Sequence, residues 1–368
     1  MLKPITLISG TFPPEIGGPA KFGNEFALWL NSLGLKVKVI TYSEYSDVSQ
    51  ISDLTTVTPK KRAKSILIRY SLFIFAIGRT VKRHEPILAI GAFVETFLAS
   101  IIFGFQYIAK VPGDIVWERA RNNKKTNLGI YEFQTVRLPL KYMVFRWIYS
   151  QSLRHAKYVI VPSMGLQNLC KTWGVNEEKI YIVHNSIASQ PDWKSTEKIP
   201  VFDLLTVCRL TPWKGVDELI CYAAQAKLSL VIAGDGPERS NLEKLASESR
   251  ANVVFVGEIT HDSVTELFLQ SRVFVLNSYY EGLPHALIEA RANGLISVAR
   301  AGTGSEEVIN DDVDGLLIRP NRSLSETLNL VFDESFPTKI YIEKAREDTK
   351  KRFDQLTNFS RIKKVLEA

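Results

Sequence analysis

Short apolar runs rich in Ile and Val alternate along the chain with segments of helical period, and this alternation constrains the fold more than any other feature. Near the start it reads ITLISG, GGPAKFGNEFALWLNSLG and KVKVITY. Buried parallel strands joined by helices have this pattern. The sequence therefore predicts βαβ units with right-handed crossovers and parallel sheets.

The alternation occurs in two series, and a chain of 368 residues is long enough for two domains. The segment between them, SIASQPDWKSTEKIPVFD, is polar and aperiodic, as is typical of a linker. We predict an α/β fold of two Rossmann-like, doubly wound parallel-sheet domains that face each other across a cleft, residues 1–190 and 191–368. The charged helical segment from Pro337 onward either packs across both domains, with the final helix back on the first, or covers the second.

The basic residues are concentrated in the first half. Residues 1–195 hold 25 Lys and Arg and 13 Asp and Glu, a charge of +12, whereas the remainder carries −5. This charge predicts contact with an anionic surface, and two basic segments with apolar and aromatic residues favour a membrane over nucleic acid. They are SILIRYSLFIFAIG, beside Lys60, Lys61, Arg62, Lys64 and Arg69, and RLPLKYMVFRWIYSQSLRHAKY. Two interpretations stay open, namely helices in a lipid interface or core helices with a solvated basic edge.

The stretch PILAIGAFVETFLASIIFGFQYIAKV is apolar enough to suggest a membrane span. Gly91, Glu95, Gly104 and Gln106 interrupt it, so we predict a buried strand, helix and strand instead.

Three scattered cysteines, Cys170, Cys208 and Cys221, form no CxxC pair. They predict neither a disulfide framework nor a zinc site, and they fit a reducing compartment. We expect a cytoplasmic protein, peripheral on the membrane if its basic half meets lipid.

Loops at the carboxyl ends of parallel strands are where open α/β sheets bind ligands. After the strand ITLISG, Gly17 and Gly18 open a helix, where backbone N–H groups and the helix dipole favour an anion. The loop lacks the GxGxxG fingerprint of dinucleotide binding. A glycine turn that only allows the strand and helix to pack is the alternative.

The loop RLTPWKG follows the strand FDLLTVCRL and contains two cations, Arg209 and Lys214. Two cations at a strand end suit a diphosphate whose negative charge increases as a sugar departs. A solvated pair without a ligand is the alternative.

The motif EGLPHALIEA follows the strand RVFVLNS and contains two carboxylates. Glu281 is predicted in the loop and Glu289 inside the next helix, where each can accept hydrogen bonds from a diol of a ribose or hexose. The residues between them open that helix and present backbone donors. These residues are Gly282, Leu283, Pro284 and His285.

These motifs, in this order, resemble the family-4 glycosyltransferases of the GT-B fold. The resemblance covers nearly the whole chain through PPEIGGPAKF, RLTPWKG, IAGDGPE, EGLPHALIEA and AGTGSEEVINDDVDGLLI. It implies donor pyrophosphate contacts from Gly18, Arg209 and Lys214, ribose binding by Glu289, and Glu281 beside the transferred sugar. It also implies retention of anomeric configuration, with no cofactor and no essential metal.

The chain departs from the family after YIAKV, where many members are similar in having a histidine. Asp114 is the candidate for that place, with Glu118 and Arg119 nearby. It is expected to hold a sugar hydroxyl or assist deprotonation of the acceptor. The alternative is a side chain that caps the turn after Pro112 and Gly113.

Two other features predict no metal site. Asp312 and Asp314 form a DxD, but the sequence DDVDG is typical of a turn. Four histidines have no metal-ligand spacing, namely His84, His155, His184 and His261.

The sequence thus predicts a retaining glycosyltransferase that moves a hexose from a nucleotide-diphosphate sugar to a glycolipid or a cell-surface polysaccharide, with no nucleic-acid partner. An NAD(P)-dependent dehydrogenase shares the architecture but should contain the glycine fingerprint. A non-catalytic nucleotide-sugar-binding protein is the other alternative, and the presence of Arg209, Lys214 and Glu281 counts against it.

Overall fold

The computed structural model describes residues 3–15, 17–43, 52–60, 65–188, 200–302 and 304–368. The chain divides into two compact units, each built on one parallel sheet. The first unit contains Met1–Val116, Gln134–Val183 and Leu356–Ala368, and the second contains Trp117–Phe133 and His184–Gln355. The predicted boundary at residue 190 lies outside the described residues, as do Lys61, Arg62 and Lys64 of the predicted basic cluster.

The first sheet has seven parallel strands in the order β3-β2-β1-β4-β5-β6-β7. Its strands are β1 (Ile5–Ser9), β2 (Val37–Tyr42), β3 (Thr55–Lys60), β4 (Ile87–Ile90), β5 (Ile108–Lys110), β6 (Tyr158–Val161) and β7 (Ile180–Ile182). The helices that follow in this part of the chain are α1 (Gly18–Ser32), α2 (Ile66–Thr80), α3 (Phe93–Phe103), α4 (Ile115–Asn122), α5 (Ile130–Thr135), α6 (Leu140–His155) and α7 (Met164–Thr172).

The second sheet has six parallel strands in the order β10-β9-β8-β11-β12-β13. Its strands are β8 (Phe202–Val207), β9 (Leu230–Ala233), β10 (Val253–Gly257), β11 (Ser271–Leu276), β12 (Ile296–Arg300) and β13 (Leu316–Ile318). Its helices are α8 (Val216–Ala226), α9 (Arg239–Glu248), α10 (His261–Leu269), α11 (His285–Ala292), α12 (Leu324–Phe332) and α13 (Thr338–Arg352). The last helix of the chain is α14 (Gln355–Glu367).

Central strands of both sheets are buried on both faces. Every residue of β1, β4 and β9 is buried. This burial explains why the sequence shows continuous apolar runs rather than alternation. The βαβ units predicted from those runs are confirmed.

Helix α14 packs in the core of the first unit. The Phe359 ring lies with its centroid 5.8 Å from that of Phe22 and 5.2 Å from that of Phe26, both on α1. Ile362 and Leu366 join the same apolar cluster. Helix α13, in contrast, packs against α11 of the second unit.

The long apolar stretch of the first half forms β4, α3 and β5, as predicted. Within the residues that the structure describes, no helix combines the length and the hydrophobicity needed to cross a bilayer.

Candidate functional site

The RLTPWKG and EGLPHALIEA loops meet because their strands are neighbours. Strands β8 and β11 pair in parallel, with Val273 opposite Leu204, so both loops leave the carboxyl edge side by side. The Lys214 Nζ lies 2.5 Å from the Glu281 Oε1, and each side chain is 14% exposed. This ion pair joins two of the predicted site residues at the edge where ligands are expected.

Backbone and side-chain hydrogen bonds fix the two loops against each other. The Tyr279 amide donates to the Trp213 carbonyl at 2.8 Å. The Asn277 side-chain amide donates to the Gly215 carbonyl at 2.8 Å. Arg300, at the end of β12, donates to the Asn277 side-chain oxygen at 3.0 Å. The ion pair therefore sits on loops whose positions are set by neighbouring strands.

An aromatic cluster includes the residues that precede each member of the ion pair in the sequence. Trp117 lies with its ring centroid 5.3 Å from Trp213 and 5.0 Å from Tyr280, and all three rings are buried. Trp213 precedes Lys214 in the sequence and Tyr280 precedes Glu281. Trp117 belongs to the segment that groups with the second unit, although the chain reaches that segment directly after β5. Sequence reasoning missed this residue.

The ion pair controls the charge of Lys214. Burial alone would lower the pKa of its ammonium group, but the Glu281 carboxylate and the smaller contributions of its other neighbours together outweigh burial, and the pKa lies above its usual value. Glu118 acts in the same direction. Burial raises the pKa of the neighbouring Cys208 thiol to about 11. Lys214 is thus a cation at neutral pH, next to a thiol that stays protonated.

Arg209 differs from Lys214 in its surroundings. Its guanidinium is exposed and makes no ion pair or side-chain hydrogen bond with any residue in the described ranges. Arg209 lies in the same loop as Lys214, five residues earlier in the sequence. The loop therefore presents one paired and one unpaired cation.

The EGLPH segment is anchored by the loop that follows β12. The Gly304 amide donates to the Glu281 carbonyl at 3.0 Å. A Cβ at Gly304 would lie 2.3 Å from the Gly282 carbonyl oxygen, so only glycine permits this close approach. Gly282 is partly exposed. The Leu283 carbonyl accepts a 2.8 Å bond from the Asn185 side chain.

The helix predicted within EGLPHALIEA is α11. Pro284 caps it and His285 is its first residue. Glu289 lies one turn further along and is buried, with its Oε1 3.9 Å from the Nδ1 of His261 on α10. The two glutamates thus lie in a loop and in a helix, as the sequence predicts.

Gly17 and Gly18 lie in the first unit, where they begin α1. Gly17 caps the helix with a φ of 149°, a conformation that residues with a side chain rarely adopt. Both glycines are exposed, and a Cβ at Gly18 would meet open space. The loop is therefore accessible to a ligand, and Gly18 is not required there for packing.

Asp114 follows β5 in the first unit and is 1% exposed. Its Oδ1 accepts a 2.9 Å bond from the Val116 amide, and its Oδ2 accepts a 2.9 Å bond from the Gln134 side chain. The oxygen of Gln134 in turn accepts from the Trp173 indole at 3.0 Å. This is the geometry expected of the turn-capping alternative.

The DxD residues form the predicted turn. Asp314 accepts a 2.8 Å bond from the buried Arg291, and Asp312 pairs with Arg322. Burial disfavours ionisation of Asp314, but Arg291 outweighs burial and holds the pKa of this carboxyl below its usual value. Among the described residues, no cluster of three or more His, Cys, Asp or Glu side chains is arranged to hold a metal ion.

Most of the second unit matches a known protein family. Residues 190–351 match the family model described as glycosyl transferases group 1. This segment contains Arg209, Lys214, Glu281 and Glu289. The segment that carries these residues is therefore similar to that family.

Two curated relatives are also glycosyltransferases by name. An uncharacterized glycosyltransferase of Methanocaldococcus jannaschii is 26% identical over 245 residues, 62% of each chain. The phosphatidylinositol N-acetylglucosaminyltransferase gpi3 subunit of Schizosaccharomyces pombe is 25% identical over 204 residues, 53% of this chain and 44% of the relative. The matches thus span about half the length of these relatives.

A solved structure shares the fold over the whole chain. The crystal structure of Anabaena HepE in complex with UDP and glucose superimposes with a TM-score of 0.76 at 18% identity, covering 100% of both chains. Together with the two parallel sheets, this likeness confirms the predicted GT-B class.

Proposed function

We propose that the chain is a glycosyltransferase that uses a nucleotide-diphosphate sugar as donor. The observation that carries this proposal is the Lys214–Glu281 ion pair at the carboxyl edge of the second sheet, inside the segment that matches the group 1 family. It combines a cation for a phosphate with a carboxylate for sugar hydroxyls. HepE was crystallised with UDP and glucose. A cation and a carboxylate at one sheet edge are suited to bind the phosphates and the hydroxyls of such ligands.

Donor binding would exchange the partners of the ion pair. The donor diphosphate competes with Glu281 for Lys214, which is a cation at neutral pH because its pKa is raised. Once Lys214 turns to the phosphate, the Glu281 carboxylate is free to accept hydrogen bonds from two sugar hydroxyls. Arg209, exposed on the same loop, supplies a second positive charge to the diphosphate.

The chemical step breaks the bond between the anomeric carbon and the diphosphate oxygen and forms one to the acceptor oxygen. Negative charge develops on the leaving oxygen, and preorganised cations stabilise it best in a site shielded from water. We expect retention by attack from the leaving-group face, with the acceptor proton passing to the departing phosphate. Retention, use of a hexose and independence of a metal rest on the family-4 resemblance.

The acceptor is proposed to be a glycolipid or a cell-surface polysaccharide, and the enzyme a cytoplasmic protein peripheral on the membrane. The charge of +12 over residues 1–195 supports contact with an anionic surface. The Schizosaccharomyces pombe relative is named for phosphatidylinositol, a lipid.

The test is a thermal-shift screen with nucleotide sugars, nucleoside diphosphates and nicotinamide dinucleotides. A ligand that binds the folded state raises its melting temperature. We expect a shift with at least one nucleotide sugar and none with the nicotinamides. A shift with NAD(P) alone would replace the proposal with the dehydrogenase alternative.

The donor that binds is then used in a transfer assay. Proton NMR of the product reports the anomeric configuration, which we expect to match the donor, and EDTA should leave the rate unchanged. Binding without transfer to any acceptor or to water would identify a non-catalytic binding protein.

A further inference from the structure

Three neighbouring helices of the first unit expose large apolar side chains. Helix α3 packs against both α2 and α6. We call the outward surface of these helices the α2–α3–α6 face. Exposed apolar side chains scattered singly are ordinary, whereas a contiguous group of them marks an interaction site.

On α2 the exposed apolar residues follow one helical stripe. Ile68, Leu72 and Phe75 are all exposed, Phe75 to 60%, at the spacing i, i+4 and i+7. The opposite side of the helix buries Phe73 and Ile77 in the unit. The helix therefore has two apolar sides, and the core covers only one of them.

Helix α6 repeats the arrangement. Leu140, Val144 and Trp147 have the same i, i+4, i+7 spacing and are exposed to 75%, 48% and 63%. Ile101 and Ile102, at the end of α3, are exposed as well. The stripes on α2 and α6 thus belong to one layer of helices.

The stretches of sequence that contain α2 and α6 are basic. Residues 54–84 contain eight Lys and Arg and no Asp or Glu, and residues 133–176 contain six Lys and Arg and no Asp or Glu. Within α2, α3 and α6 the one acidic residue is Glu95, which is buried. A surface with apolar stripes, an exposed tryptophan and only positive charge is complementary to the interface of an anionic bilayer.

We infer that the α2–α3–α6 face docks on anionic membrane lipid, with Phe75 and Trp147 entering the interface and the flanking Lys and Arg contacting headgroups. A second copy of the chain would bring two positive faces together, which Coulomb repulsion opposes. Nucleic acid would satisfy the charge but not the apolar stripes. The inference deepens the proposed function by naming the surface through which a lipid acceptor is approached, yet it involves no residue of the donor site.

The experiment is flotation of the full chain with vesicles of phosphatidylcholine alone or with 30 mol% phosphatidylglycerol. We expect binding to the anionic vesicles that falls with added salt. The double variant Phe75→Gln, Trp147→Gln should bind about tenfold or more weakly, because it removes the largest inserted side chains. The control Leu330→Gln, Leu356→Gln changes two apolar residues that are exposed elsewhere and should bind like the wild type.

A second variant removes charge and leaves the apolar stripes intact. Arg79→Gln, Lys82→Gln, Lys141→Gln should weaken binding to anionic vesicles by about tenfold or more. Circular dichroism and donor binding should be unchanged in every variant, so failure of the donor site and failure of the face are distinguishable.

Three results would overturn the inference. These are absence of vesicle binding by the wild type at low salt, equal binding by the wild type and both variants, and a dimer that the double variant dissociates without any vesicle binding. The last would assign the face to a second copy of the chain.

Discussion

The carboxyl edges of the two sheets hold acidic side chains in opposite surroundings. At the second sheet Glu281 is partly exposed beside the cation Lys214. At the first sheet Asp114 is buried, and both of its oxygens accept hydrogen bonds from Val116 and Gln134. A ligand reaches a partly exposed carboxylate more readily than one that is buried and already accepts a hydrogen bond on each oxygen. The comparison favours the second edge over the first for binding a charged ligand.

Lys214→Ala should have the largest effect on transfer. Removing a charge that stabilises the leaving phosphate is expected to lower kcat/KM by about 1,000-fold. Steady-state kinetics with the donor found in the screen measure this. Lys244→Ala, an exposed lysine of the same unit, should leave the rate unchanged, and equal rates for both variants would contradict the role of Lys214.

Arg291→Met should have the largest effect on stability, because Arg291, on α11, is fully buried and donates to Asp314 at 2.8 Å and Asp348 at 3.0 Å. Breaking a buried ion pair from one side costs about 3 to 5 kcal/mol. Urea titration followed by circular dichroism measures the free energy of unfolding. Arg239→Met, which removes exposed pairs with Asp235 and Glu243, should cost about 1 kcal/mol or less.

The pH dependence of that loss has a definite sign. Burial raises the pKa of Asp314, but the nearby Arg291 lowers it by more, so the pKa lies below its usual value. Its ion pair therefore stabilises the fold above the usual carboxyl pKa, and the contribution disappears as pH falls through the lowered value. The stability difference between wild type and Arg291→Met should shrink in acid. A constant difference down to pH 2 would contradict this origin.

Trp117→Leu should have an intermediate effect on transfer. The variant removes the ring that packs on Trp213 and Tyr280, the neighbours of Lys214 and Glu281. Small displacements of groups near the chemistry are costly, so we expect kcat/KM to fall about tenfold and Trp117→Phe to restore most of it. Wild-type kinetics in Trp117→Leu would show that the aromatic cluster does not position the donor loops.

Asp114→Asn should have the smallest effect on transfer. Asparagine keeps an oxygen for the Val116 amide but presents an amide group to Gln134, so we expect a loss of about 1 kcal/mol in stability. The transfer rate should change by about threefold or less. A fall in the transfer rate of about 100-fold or more, with stability little changed, would instead identify Asp114 as an acid–base group. The contrast drawn between the two sheet edges would then be wrong.

The sequence predicted the elements of the second unit well because each is short, strongly periodic and bounded by turns. It also predicted that the Arg209 loop and the Glu281 loop lie at strand ends, which follows from the position of each motif after an apolar run. These predictions needed only local patterns.

What the sequence could not predict depends on contacts between distant residues. Gln134, which donates a hydrogen bond to the Asp114 carboxylate, is 20 residues away from it in the sequence. Trp117 reaches Trp213 from a segment that the chain enters after the first sheet's fifth strand. No periodicity distinguishes such an aromatic from any other core residue. Likewise, both interpretations of α2 and α6 fitted their sequences, and only the exposure of the stripes favours the membrane.

The exchange of partners at Lys214 is the central claim, and calorimetric titration with nucleoside diphosphates tests it most directly. Lys214→Ala should weaken binding of the bare diphosphate at least about tenfold. Glu281→Gln should bind the bare diphosphate as tightly as the wild type or more tightly, since its competitor carboxylate is gone, but should bind the nucleotide sugar more weakly. Equal weakening of the bare diphosphate by both variants, or no binding to the wild type, would contradict the account.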